Sequence, residues 1–156
     1  MLFRSVGEGD VEGALPGAVV EVLAAVDFLR RSSGAPALLV GHGLGGAAVL
    51  AAAVGTPEAR AVAVVDCPAG EIPEAAVAAL GRPLLLGSSA GDAVGIAAAE
   101  RLYAAALQPK SLVSLGDVRF AGEMLAAWAA GHVEVAPEAG VVPGQVGRAS
   151  CRERVY

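Results

Sequence analysis

The chain has 156 residues, room for one domain, and its 55% hydrophobic content supplies a core, which excludes a disordered tail. A net charge of -5 with only 17% charged residues leaves no basic surface for phosphates, so sequence-unspecific nucleic-acid binding is excluded as well. Cys67 and Cys151 are too few for a disulfide scaffold, and no apolar stretch follows a basic start, so a reducing cytoplasm is the expected setting.

Residues 11–31 place apolar side chains at Val19, Val20, Val22, Leu23, Val26, Phe28 and Leu29, with Glu21, Asp27, Arg30 and Arg31 on other faces. That spacing predicts an amphipathic helix with Pro16 in its first turn and Gly34 beyond its end. Residues 36–41 form a short apolar run that reads as a buried strand, followed by glycine punctuation and a helix over 47–54. Strands are then expected at 60–66, 83–88 and 110–115, and helices at 73–80, 94–107 and 120–131. This alternation predicts a three-layer α/β/α domain with a parallel sheet of about four strands and right-handed crossovers. The longest stretch without Asp, Glu, Lys or Arg, 32–57, is long enough for a membrane span, but Pro36, His42 and the glycines at 41, 43, 45 and 46 divide it into strand, turn and helix. No membrane partner is expected.

The two ends read differently from the middle. Residues 147–155, Gly-Arg-Ala-Ser-Cys-Arg-Glu-Arg-Val, resemble the translation of a common short-read sequencing adaptor, and residues 2–5, Leu-Phe-Arg-Ser, match its opposite strand. Residues 1–6 and 147–156 are therefore expected to be artefactual ends. Residues 133–146, with Pro137, Gly140, Pro143 and Gly144, read as a linker. Without Arg4, Arg148, Arg152, Arg154 and Glu153 the remainder holds 7 basic and 15 acidic residues, a net -8.

The turn Gly41-His42-Gly43-Leu44-Gly45-Gly46 admits two readings. Between a strand and a helix, Gly41, Gly43 and Gly46 satisfy the spacing by which backbone N–H groups cradle a pyrophosphate, and Asp66 stands where a dinucleotide-binding unit puts its ribose-binding carboxylate. Asp66 also suits a turn-capping role at a strand end. In the second reading Gly41 to Gly45 is a nucleophile elbow, G-x-S-x-G, with Gly43 at the position of the serine.

Residues 35–53, APALLVGHGLGGAAVLAAA, resemble the nucleophile-elbow region of α/β-hydrolases, in particular the hydrolase half of bacterial proteins fusing an α/β-hydrolase to an OsmC-like domain. Residues 91–115 and 121–129 carry further similar text, so the resemblance spans about 7–145. It implies the C-terminal half of an α/β-hydrolase fold at 7–132, a small-molecule acyl substrate, and ester or acyl hydrolysis; no cofactor is expected, and no metal either, since the two histidines lie far from any Cys pair. It also implies that Gly43 is the vacated nucleophile position, that the Leu44 N–H is one oxyanion-hole donor, and that His42, Gly45 and Gly46 complete the elbow. The family's acid aligns best with Gly91, which leaves Asp92, one residue late, as a weak candidate. The family's histidine belongs after the strand at 110–115, where Gly116 and Asp117 lead almost directly into the last helix.

An inactive fragment is thus expected, the dinucleotide module remaining as the alternative and a scaffold for the fused domain as a third reading. His42 reads as a residue of the turn and His132 as a surface residue at a helix end. Cys67, Ser88 and Ser89 lie where such sheets bind ligands, and read as an inert thiol and turn hydroxyls unless a base stands nearby. The family strands that precede the elbow strand are missing, so 36–41 is expected to be an exposed edge that invites self-association.

Overall fold

The computed structural model describes residues 2–4, 11–34, 37–68, 70, 72, 74–116 and 118–132. The elements are β1 (Leu2–Arg4), α1 (Val11–Ser33), β2 (Ala37–His42), α2 (Leu44–Val54), β3 (Ala59–Val65), α3 (Glu74–Ala78), β4 (Leu84–Ser89), α4 (Ala93–Ala105), β5 (Lys110–Leu115) and α5 (Val118–His132). All five strands are parallel and lie in chain order across the sheet. Right-handed crossovers between strands in that order place α1, α2, α3 and α4 on one face, where each packs beside the next.

β2, β3 and β4 are near-continuous apolar runs because a parallel sheet is buried on both faces. On one face Leu39, Val62, Val64, Leu84 and Leu86 meet Val22 and Val26 of α1, Val49 and Leu50 of α2, Val77 of α3 and Leu102 of α4. Each such side chain, fully buried, contributes on the order of 1.5–3 kcal/mol relative to an exposed one. Ala61, Ala63, Leu85 and Leu115 alternate with these and are buried on the opposite face, where α5 contacts β3 and β5. β5 lies at the end of the strand order and reads differently, with Leu112 and Ser114 exposed.

Local chemistry sets the helix ends. Gly34 (φ +65°) follows α1 in the left-handed conformation and donates its N–H to the Arg30 carbonyl at 3.0 Å. Pro16 lies a turn inside α1 rather than in its first turn, because the helix starts at Val11. Lys110, the single lysine of the chain, donates to the Tyr103 and Ala106 carbonyls at 2.7 and 2.8 Å and stands 4.4 Å over the Tyr103 ring, closing the end of α4. At the amino edge of the sheet the Arg82 guanidinium donates to the carbonyls of Thr56, Ala59 and Leu80, tying the loop before β3 to the loop before β4.

Two expectations need correction. α2 begins at Leu44, three residues before the expected 47, because Gly45 and Gly46 are helical rather than part of the turn. The edge of β2 is also not bare: Leu2, Phe3 and Arg4 pair with Val40, Gly41 and His42. An edge of unpaired N–H and C=O groups takes up an extended segment, here one that lies within the end expected to stand outside the fold. The linker at 133–146 and the end at 147–156, Cys151 included, fall outside the described residues. No helix among the described residues is long and apolar enough to cross a membrane, and 32–57 includes β2, its turn and α2.

Candidate functional site

The turn from β2 to α2 is built by three glycines with three different reasons. Gly41 lets the helix approach the strand: a Cβ there would run into the Gly45 carbonyl and stand 2.7 Å from Gly46 Cα, closer than real Cβ contacts come. At Gly46 the fit is merely snug, since a Cβ would lie 3.4 Å from Val64 Cβ. Gly43 is different in kind. Its backbone is left-handed (φ 56°, ψ -129°), yet a Cβ on it would meet nothing within 4 Å. The conformation is one that L side chains rarely adopt, while the space around it is open.

Hydrogen bonds hold this apex in place. The Gly43 N–H donates to the Val65 carbonyl at 2.9 Å, and the Gly43 carbonyl accepts from Gly46 N–H at 2.9 Å and Ala47 N–H at 3.3 Å, opening α2. As the first residues of α2, Leu44 and Gly45 have N–H groups without intrahelical acceptors, so the expected oxyanion donor at Leu44 sits directly beside the apex.

Asp92 does other work. It precedes α4 as its N-cap, its carboxylate accepting from Val94 N–H at 3.2 Å, and a Cβ on Gly95 would collide with that carboxylate. Gly91 before it has φ +90°. After β5 the chain enters α5 within three residues of Leu115, and Asp117 lies outside the described residues. His132 closes α5, its ring 4.9 Å from that of Trp128. Because α5 starts at the carboxyl edge, its 15 residues carry His132 roughly 20 Å away along the helix axis. Cys67 is buried. Among the described residues no three His, Cys, Asp or Glu side chains group closely enough to hold a metal.

One cluster escaped the sequence. Asp66, just past β3, is the one described non-glycine residue with positive φ (50°), and its N–H donates to the Gly87 carbonyl at 3.0 Å. One carboxylate oxygen accepts from Ser89 N–H and the other from Ser89 Oγ–H, both at 2.6 Å, and His42 Nε2 lies 3.3 Å from the second. The Asp66 side chain is 18% exposed and that of His42 63%. The signal was there in principle: His42 ends β2, Asp66 follows β3 and Ser89 ends β4, and three parallel strands in sequence order bring their carboxyl ends side by side. Chemically the cluster is a clasp. The serine hydroxyl points its proton at the carboxylate, not at the imidazole, so no base is set to ionise it. Asp66→Ala should therefore destabilise the fold by about 2 kcal/mol, since it leaves a Ser89 donor pair unmet. His42→Ala, at an exposed site, should stay within about 0.5 kcal/mol. Urea midpoints of the two variants check the contrast; equal losses would refute it.

No family model and no curated protein matches the chain. Solved structures do. The esterase domain of a Rhodothermus marinus protein is 33% identical, with a TM-score of 0.65 over 78% of this chain and 78% of that one. A dienelactone hydrolase from Anabaena variabilis (21% identity, TM-score 0.67, 74% of this chain and 59% of that one) has the same fold. So does a Xanthomonas campestris α/β serine hydrolase described as lacking a lid (19% identity, TM-score 0.58, 86% and 66%). A parallel sheet with a glycine-rich strand-to-helix turn of elbow geometry, and an esterase domain one-third identical over most of both chains, lead to one assignment: this chain belongs to the α/β-hydrolase family.

Proposed function

We propose that this chain is a catalytically silent hydrolase domain: it keeps the elbow of an acyl hydrolase and lacks the groups that turn substrate over. The observation that carries this reading is Gly43, whose backbone has the strained elbow conformation and whose surroundings leave room for a side chain that glycine does not have. Acyl transfer needs an attacking atom, a base to take its proton and an orienter for the base. Position 43 has no attacking atom, Asp92 is committed to capping α4, and the short passage from β5 to α5 leaves no loop of the length that would carry a histidine. The N–H of Leu44 alone stabilises no intermediate that the chain can form.

The finer lineage is part of the same proposal. The text at 35–53, 91–115 and 121–129 supports descent from the hydrolase half of a bacterial hydrolase/OsmC-like fusion, with a small acyl substrate in the parent, sequencing-derived residues at both ends and a cytoplasmic setting. The dinucleotide reading asks Asp66 to offer its carboxylate to a ribose, whereas both oxygens already accept hydrogen bonds from Ser89. Purified protein incubated with short-chain p-nitrophenyl esters should show no turnover above buffer. Turnover that persists in a Cys67→Ala variant would overturn the proposal.

A further inference from the structure

The outward side of α1 carries an apolar ridge. α1 is the end helix of its layer, with α2 as its neighbour and Val22 and Val26 turned into the core. Away from the core, Pro16, Val20, Ala24 and Phe28 follow one another at intervals of four residues, and all four are exposed. Residues four apart form the rows that pack into the grooves of another helix, and this row contains no polar side chain. Val20 is 64% and Phe28 65% exposed; with Leu23 on the flank, α1 holds three of the seven large apolar side chains exposed among the described residues, a concentration that marks a contact surface.

The charges along α1 say which partner fits. Glu21 stands beside the ridge in the first half of the helix, and it has no ion pair among the described residues. Arg30 and Arg31 stand in the last turn, their side chains 52% and 68% exposed, and they share Asp27. A helix with its unpaired acid toward the start and two guanidiniums at the end is complementary to a copy of itself in one orientation only. Antiparallel, acid meets base and the helix dipoles oppose; parallel, like faces like.

We propose that α1 docks antiparallel on α1 of a second copy of this chain, about a two-fold axis at Ala24. In that register Val20 meets Phe28 of the other copy, and Ala24 meets Ala24, small enough for the helices to approach closely. Arg31 of the other copy stands opposite Gly17, one helical turn from Glu21, within reach of a long side chain. The two-fold axis makes each of these contacts twice. The surface lies apart from the elbow, so the pairing does not depend on the state of position 43.

The test is sedimentation of the full chain between about 5 and 500 µM, where a monomer–dimer equilibrium is expected. Phe28→Asp should weaken the dimer at least about ten-fold. Glu21→Arg should weaken it about five-fold, and adding Arg31→Glu should recover the parent affinity to within about two-fold. Circular dichroism shows whether each variant keeps the fold. In a Cys151→Ser background, Ala24→Cys should form a disulfide between copies on mild oxidation, because packed helices bring facing Cα atoms close enough, while Val94→Cys, on the exposed side of α4, should not. A chain that stays monomeric across the range, or a dimer that Phe28→Asp leaves unchanged, would overturn the proposal. A charge swap that recovers no affinity, or an Ala24→Cys chain that does not cross-link, would overturn the antiparallel register.

Discussion

Gly41→Ala should destabilise the domain by about 3 kcal/mol or more, placing it among the most damaging single-methyl substitutions the chain can receive. The reason is local and steric. The methyl group would enter the Gly45 carbonyl and stand 2.7 Å from Gly46 Cα, and both obstacles are backbone of the first turn of α2. A flexible side chain could swing aside; a helix turn cannot. Relief would require α2 to lift from β2, which would part Val49 and Leu50 from Leu39 and Val62 in the core. Gly46→Ala is the matched control. Its nearest contacts, at 3.4 Å, include the Val64 side chain, so a few tenths of an ångström of give suffices and the loss should stay near 1 kcal/mol. Urea denaturation of both variants gives the comparison, and a Gly41→Ala midpoint no lower than that of Gly46→Ala would show that α2 is not pinned by this contact.

The same turn shows what a sequence can and cannot disclose. Apolar runs bounded by Gly and Pro marked β2, β3 and β4 to within a residue or so, because a strand buried on both faces has little freedom in composition. The elbow was legible for a related reason: a left-handed apex and a close helix-to-strand approach each demand glycine at a fixed place. What stayed hidden depends on partners distant along the chain. Nothing near Ser89 reveals that its hydroxyl and N–H both belong to Asp66, 23 residues earlier, and nothing near Arg82 reveals its hold on Thr56 and Ala59. Asp92 was misleading in the opposite sense. Its place after β4 suggested an acid, while its place before α4 made it a cap, and the nearer demand prevailed.

Gly43→Ser should fold, lose about 1–2 kcal/mol of stability, and gain no esterase activity. The stability loss comes from backbone alone, since a residue with a Cβ must hold φ near 56°, and the surroundings add no clash. The failure of catalysis follows from what surrounds the new hydroxyl. An alcohol is a poor nucleophile until a base takes its proton, and removing a triad member costs on the order of 10⁴-fold or more in rate. The nearest imidazole along the chain, His42, has its Nε2 turned to Asp66 at 3.3 Å, and His132 sits at the far end of α5. Initial rates with p-nitrophenyl acetate, for the variant against the parent chain and buffer, decide the matter. If the variant does turn over, its pH profile and its response to His42→Gln identify the base: activity that rises with imidazole deprotonation and vanishes in the double variant would mean that the Asp66 clasp orients His42 toward the apex. The serine would then have been the only missing catalytic group. Rates at the buffer level would instead show that the base and the nucleophile are both absent from this elbow.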